Sequence, residues 1–89
     1  MYSTIYDTII IGGEYKVGVE KIISKMERQP NGIKFTEITR VLNEYGYELV
    51  RKNGSHRHFR NKEGDVITIK EENPLKAVYV KDVLRRIGR

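Results

Sequence analysis

The stretch Tyr47-Glu48-Leu49-Val50-Arg51-Lys52-Asn53-Gly54-Ser55-His56-Arg57-His58-Phe59-Arg60-Asn61-Lys62-Glu63-Gly64-Asp65-Val66-Ile67-Thr68-Ile69-Lys70 decides the fold. Its apolar residues recur at a period nearer two than 3.6, and two glycine-centred breaks divide it, so residues 47–52, 55–60 and 65–70 read as three short strands. Asn53-Gly54 has the chemistry of a tight hairpin turn, and Lys62-Glu63-Gly64-Asp65 that of a slightly longer one. The strands therefore form an antiparallel meander. In the third strand Ile67 and Ile69 share one face, while Val66, Thr68 and Lys70 share the other. In the second, Phe59 is the natural core anchor on a face with Ser55 and Arg57, which leaves His56, His58 and Arg60 on the open face.

Outward from the strands the period becomes helical. Ile38, Val41, Leu42 and Tyr45 fall at i, i+3, i+4 and i+7 before the meander, and Val80, Val83, Leu84 and Ile87 repeat the spacing after it. Each set is the apolar stripe of an amphipathic helix. Thr36 is the expected N-cap of the first of these, Gly46 stands where a C′ glycine belongs, and Asn73-Pro74 breaks the chain before the last helix. From residue 36 onward the order is helix, three strands, helix: an α+β domain with a small sheet against two helices. A further stripe of Val19, Ile22, Ile23 and Met26 predicts one more helix upstream, closed by Gln29-Pro30-Asn31-Gly32.

The first residues have a different character. Residues 4–11 are β-prone and Gly12-Gly13 ends them, which predicts a strand that pairs with the main sheet, pairs with another chain or frays. Residues 1–15 carry Asp7 and Glu14 and no base, a charge of −2, against +7 for residues 16–89. An acidic, β-prone segment suits a basic protein surface or a sheet edge better than a polyanion. It is the expected element of homo-oligomer formation or of attachment to a protein partner.

Composition narrows the chemistry. The 89 residues make one small domain, 1–89, and leave no room for a large enclosed cofactor pocket. There is no cysteine, hence no disulfide, thiolate nucleophile or zinc knuckle, and two histidines alone make a structural zinc site a poor fit. No apolar run approaches 18 residues, and residues 1–11 lack the basic start of a secretory signal, so a cytoplasmic protein with no membrane partner is expected. The net charge of +5 permits a polyanionic partner such as RNA.

That charge is concentrated. Residues 51–62 hold five bases, both histidines and no acid, matching the net charge of the whole chain. Imidazoles beside several cations can sit over a phosphate and exchange a proton near neutral pH, as RNA cleavage requires. A basic hairpin is equally what a solvated sheet edge looks like, where Lys and Arg discourage aggregation. On these residues alone, an RNA-binding module that never cleaves stands beside the nuclease as an alternative.

Residues 48–60, preceded by a helix ending Tyr45-Gly46-Tyr47, resemble the HicA (YcfA-like) toxin family. Residues 65–70 follow at that family's spacing, and Leu75-Lys76 with residues 80–88 are similar to its closing helix. The resemblance covers about residues 33–89 and leaves 1–31 as an N-terminal strand and helix extension. The last helix opens on Ala77-Val78-Tyr79, where the family commonly has Pro-Gly-Thr. The resemblance implies a double-stranded-RNA-binding-like α-β-β-β-α fold, a metal-independent mRNA interferase without cofactors, and neutralisation by a HicB-type antitoxin protein. It also implies that the histidine of Gly54-Ser55-His56 is catalytic, with His58 an auxiliary candidate. His56 would act as general base on a ribose 2′-hydroxyl, Gly54 and Ser55 would approach the phosphate, and Lys52, Arg57, Arg60 and Lys62 would bind the RNA backbone. The acid that protonates the leaving group stays unassigned between His58 and a water.

Overall fold

The computed structural model describes residues 11–89, with helix α1 (Ile11–Arg28), a single 3₁₀ turn (Pro30–Gly32), α2 (Phe35–Glu44), β1 (Glu48–Asn53), β2 (His56–Arg60), β3 (Val66–Lys70) and α3 (Ala77–Arg86). The strands form one antiparallel sheet in the order β1-β2-β3. From α2 onward this is the α-β-β-β-α order of double-stranded-RNA-binding-like domains.

Each predicted stripe is a buried one. Val19, Ile22, Ile23 and Met26 turn α1 inward, Ile38, Val41 and Leu42 do so for α2, and Val80 and Val83 for α3. They meet Phe59, Ile67 and Ile69 from the sheet in a single core that also takes in Ile33, Tyr47 and Leu75. Phe59 and Phe35 pack as tilted rings with centroids 6.2 Å apart, a favourable aromatic geometry. α1 lies against both α2 and α3. Lys25 and Arg28 in its last turn face the negative end of its dipole.

Two local expectations need correction. The strand placed at residues 4–11 does not extend to Ile11, and Gly12-Gly13 does not end it: α1 begins at Ile11 and runs through both glycines. Residues 4–10 lie outside the described residues. A helical glycine costs only about 1 kcal/mol relative to alanine, less than the burial of the stripe that follows returns. The second correction concerns Thr36, which is not the N-cap of α2. Lys34 takes that position, and the helix begins at Phe35, whose N–H donates to Asn73 Oδ1 at 2.9 Å, across 38 residues of chain. The Lys34 N–H donates to Glu37 Oε1 at 2.9 Å, and Lys25 Nζ reaches the same carboxylate at 3.1 Å. Burial pushes the Glu37 carboxyl up, but these hydrogen bonds and the two lysine charges together outweigh it and hold it below the usual carboxylate range.

The expected C′ glycine is present. Gly46 has φ +87°, its N–H donates to the Asn43 carbonyl at 3.2 Å and that of Tyr47 to the Leu42 carbonyl at 2.9 Å, the paired bonds of a Schellman motif. The departure at Ala77-Val78-Tyr79 leaves the last helix in place, with Lys76 as its N-cap.

Candidate functional site

The β1–β2 hairpin sets the site. Asn53 pairs with His56, so the turn residues are Gly54 and Ser55. Gly54 has φ +61°, the left-handed conformation that two-residue hairpins require at this position. Directly opposed residues on neighbouring strands share a face. On β3 the register sets Lys70 opposite His56, Thr68 opposite His58 and Val66 opposite Arg60. On β1 it sets Asn53 opposite His56 and Arg51 opposite His58; a bulge at Val50 follows, after which Leu49 opposes Phe59 and Glu48 opposes Arg60. The face turned away from the helices thus carries His56, His58 and Arg60 in its central strand. Arg51, Asn53 and Glu48 flank them on one side, Thr68 and Lys70 on the other.

The residues singled out from sequence divide between this face and its surroundings. His56 is exposed, and its side chain makes no hydrogen bond to another described residue. His58 is half-buried, and its Nδ1 lies 2.9 Å from Thr68 Oγ1. Gly54 and Ser55 form the hairpin tip next to His56. Lys52 opposes Arg57 and Arg57 neighbours Phe59's side of the sheet, so both project toward the helix side. Arg57 is engaged there: Nε pairs with Glu71 Oε1 at 2.8 Å, and Nη1 donates to the carbonyls of Gly54 at 2.7 Å and His56 at 3.2 Å. Lys62 stands in the turn beyond the far end of β2, away from the hairpin tip. The structure thus sets His56, His58 and Arg60 on one face, turns Lys52 and Arg57 toward the other, and leaves Lys62 beside Arg60, with which it lines a surface hollow along with Glu48 and Val50.

Arg51, Lys70 and Thr68 are the members that sequence reasoning left out of the site. Alternation in the third strand already sets Thr68 and Lys70 opposite the Ile67 and Ile69 face, and that signal could have found them. Regular pairing from the turn sets Arg51 opposite His58, whereas strict alternation from Leu49 gives Arg51 the same face as Leu49. The extra residue at Val50 reverses this.

The other end of the sheet is occupied by a structural network. Tyr47 Oη donates to Asp65 Oδ2 at 2.5 Å, and Arg86 Nη1 donates to Asp65 Oδ1 at 2.6 Å. The Tyr47 hydrogen bond, then the Arg86 guanidinium, hold the Asp65 carboxyl below its usual range. Burial, then donation to that carboxylate, push the Tyr47 hydroxyl up to about 12. Asp65 also donates its N–H to Asn61 Oδ1 at 2.8 Å, so the network fixes the β2–β3 turn to α3. Among the described residues no three His, Asp or Glu side chains are grouped as metal ligands would be, and no helix is long and apolar enough to cross a membrane.

The family described as HicA toxin of bacterial toxin–antitoxin systems matches residues 35–88, from the first residue of α2 to the glycine after α3. The chain belongs to the HicA toxin family. It is accordingly the toxin of a toxin–antitoxin system, and a HicA-family toxin has an antitoxin partner. No curated protein and no solved structure matches the chain. Helix α1 lies outside the part that defines it as HicA.

Proposed function

We propose that this HicA-family toxin is a metal-independent endoribonuclease that cuts mRNA on the open face of its sheet, with His56 as general base. The observation that supports the reading is the strand register, which groups an exposed imidazole with Arg51, Arg60 and Lys70 on one solvent-facing surface. His56 removes the proton of a ribose 2′-hydroxyl; the 2′-oxygen bonds to the adjacent phosphorus and the bond from phosphorus to the 5′-oxygen breaks. The products are a 2′,3′-cyclic phosphate and a 5′-hydroxyl. A positioned base contributes about 10²–10⁴-fold to such a step. The three cations offset the charge that builds on the phosphate oxygens, as preorganised charge does in other active sites. Arg57 serves the hairpin tip, holding Gly54 and Ser55 where their backbone meets the phosphate. Lys52 and Lys62 remain for RNA that runs past the face. A HicB-type antitoxin in the same cytoplasm is the proposed partner, with the N-terminal segment as the element of self-association or antitoxin attachment.

The test is His56→Ala, read as growth arrest on expression without antitoxin and as RNA cleavage by the purified protein. Both should be lost while the melting temperature stays put, since an exposed side chain leaves no core cavity and its removal changes stability by no more than about 0.5 kcal/mol. A folded His56→Ala protein as toxic as the parent refutes the role of His56. A parent protein that binds RNA and cleaves none would favour the non-catalytic module.

A further inference from the structure

Within the endoribonuclease reading, one chemical role is unfilled: the 5′-oxygen leaves as an alkoxide unless something gives it a proton, and His56 is occupied taking one. The open face carries a second imidazole in a different setting from the first. His58 is half-buried and its Nδ1 is held 2.9 Å from Thr68 Oγ1, the residue opposite it on β3. We propose that His58 is the proton donor to the leaving 5′-oxygen and that Thr68 is its positioning residue.

The placement follows from the strand. Residues two apart point to the same face and stand about 6.4–6.8 Å apart along the chain. Two imidazoles so spaced can flank one phosphate, each reaching its own oxygen at about 2.6–3.2 Å. The nucleophilic and leaving oxygens lie on opposite sides of phosphorus, so a base and an acid in file along β2 match the direction of displacement. Arg51, opposite His58 on β1, stands beside the phosphate at that end.

The Thr68 contact decides which ring nitrogen works. With Nδ1 committed to the hydroxyl, Nε2 is the nitrogen that turns outward. Threonine is suited to the task because its hydroxyl both donates and accepts. It can accept from the Nδ1–H of the imidazolium and keep that bond after Nε2 has given its proton away. The proton passes from His58 Nε2 to the 5′-oxygen as the bond to phosphorus breaks, while His56 holds the proton taken from the 2′-hydroxyl. Exchange with solvent restores both rings.

The experiment compares two short RNA substrates, one with the ordinary 5′-oxygen at the cleavage site and one with sulfur in its place. A thiol loses its proton near pKa 8.5, so a thiolate departs without an acid, and the sulfur substrate bypasses the proposed role. His58→Gln should slow cleavage of the oxygen substrate by about 10²–10⁴-fold and leave cleavage of the sulfur substrate near the parent rate. His56→Ala should be slow on both. Thr68→Val should lower kcat on the oxygen substrate at unchanged KM, and Thr68→Ser, which keeps the hydroxyl, should restore it. Thermal melts accompany each variant, and the Thr68 pair tests the same contact with His58 intact should His58→Gln fold poorly. Equal slowing of His58→Gln on both substrates, or no slowing on the oxygen substrate, overturns the assignment and leaves the His56 reading standing. A parent protein that cleaves neither substrate fails the endoribonuclease reading itself, and the assignment falls with it.

Discussion

Replacing Ile23 by alanine tests whether α1, which lies outside the residues that define the family, belongs to the fold. Ile23 is 1% exposed in the middle of the α1 stripe, and its neighbours Val19, Ile22 and Met26 are also buried. Truncating a buried isoleucine to alanine costs about 2–5 kcal/mol, a transfer loss plus the cavity left behind. A domain of this size has roughly 0.05–0.15 kcal/mol of stability per residue, or about 4–13 kcal/mol in all. The substitution therefore removes a large share of it. For a 60–100-residue domain each kcal/mol moves the melting temperature by about 4–8 °C, so a loss near 3 kcal/mol lowers Tm by about 12–24 °C. The assay is a far-UV circular dichroism melt paired with urea unfolding, where the midpoint should fall with little change in slope. Lys21→Ala, on the exposed side of the same helix, should stay within about 0.5 kcal/mol of the parent. A Tm for Ile23→Ala within about 2 °C of the parent, or a fragment of residues 29–89 as stable as the whole chain, would show that α1 is an appendage and refute the packing argument.

Three further outcomes are expected. The Tyr47 hydroxyl is shifted from its ordinary 10.0 to about 12 in the folded chain, so the folded state binds the proton more tightly; the stability this gives is full below about pH 10 and lost between 10 and 12, and Tyr47→Phe should flatten that part of a urea-midpoint profile. RNA affinity should fall with salt at a log–log slope of about −2 for a short RNA that meets only the three cations of the face, at roughly 0.7 each, and of about −3.5 for one long enough to reach Lys52 and Lys62 as well; Arg60→Gln should make the slope shallower by about 0.7, whereas Arg57→Gln should leave it unchanged, as measured by fluorescence anisotropy. Cleavage should persist in EDTA, because the proposed acid and base are both imidazoles, and activity that is lost on chelation and restored by Mg²⁺ would contradict them.

What could be read from the sequence is what repeats. The stripes of α1, α2 and α3 and the alternation of β2 and β3 each rest on several residues in phase, and each is buried as the phase requires. What could not be read depends on partners distant in the chain. The first N–H of α2 finds its acceptor on Asn73, a partner that no local capping rule locates across 38 residues. Arg57 looks like any other base in its stretch until Glu71 is found beside it. Gly12-Gly13 looks like a stop because glycine is a poor helix former, and a local rule cannot weigh that against the stripe packed several turns later. In the site, the pairing of His56 with Lys70 and of His58 with Thr68 was within reach once two strands were aligned. Arg51 lies in the same regular pairing from the turn, but alternation read from Leu49 misplaces it, because the irregularity at Val50 leaves no mark in composition or period.

That irregularity also bears on how readily β1 can take on another strand. Among the described residues β1 is a border strand, exposed along its whole length, with Leu49 and Val50 among the large exposed apolar side chains. A straight strand of that kind would invite a copy of itself to lie alongside and start a growing ribbon. The extra residue interrupts the regular ladder midway, so a straight incoming strand without a matching irregularity cannot keep one register along the whole of β1. The bulge that parts the face of Leu49 from that of Arg51 also makes β1 a poorer template for a further strand.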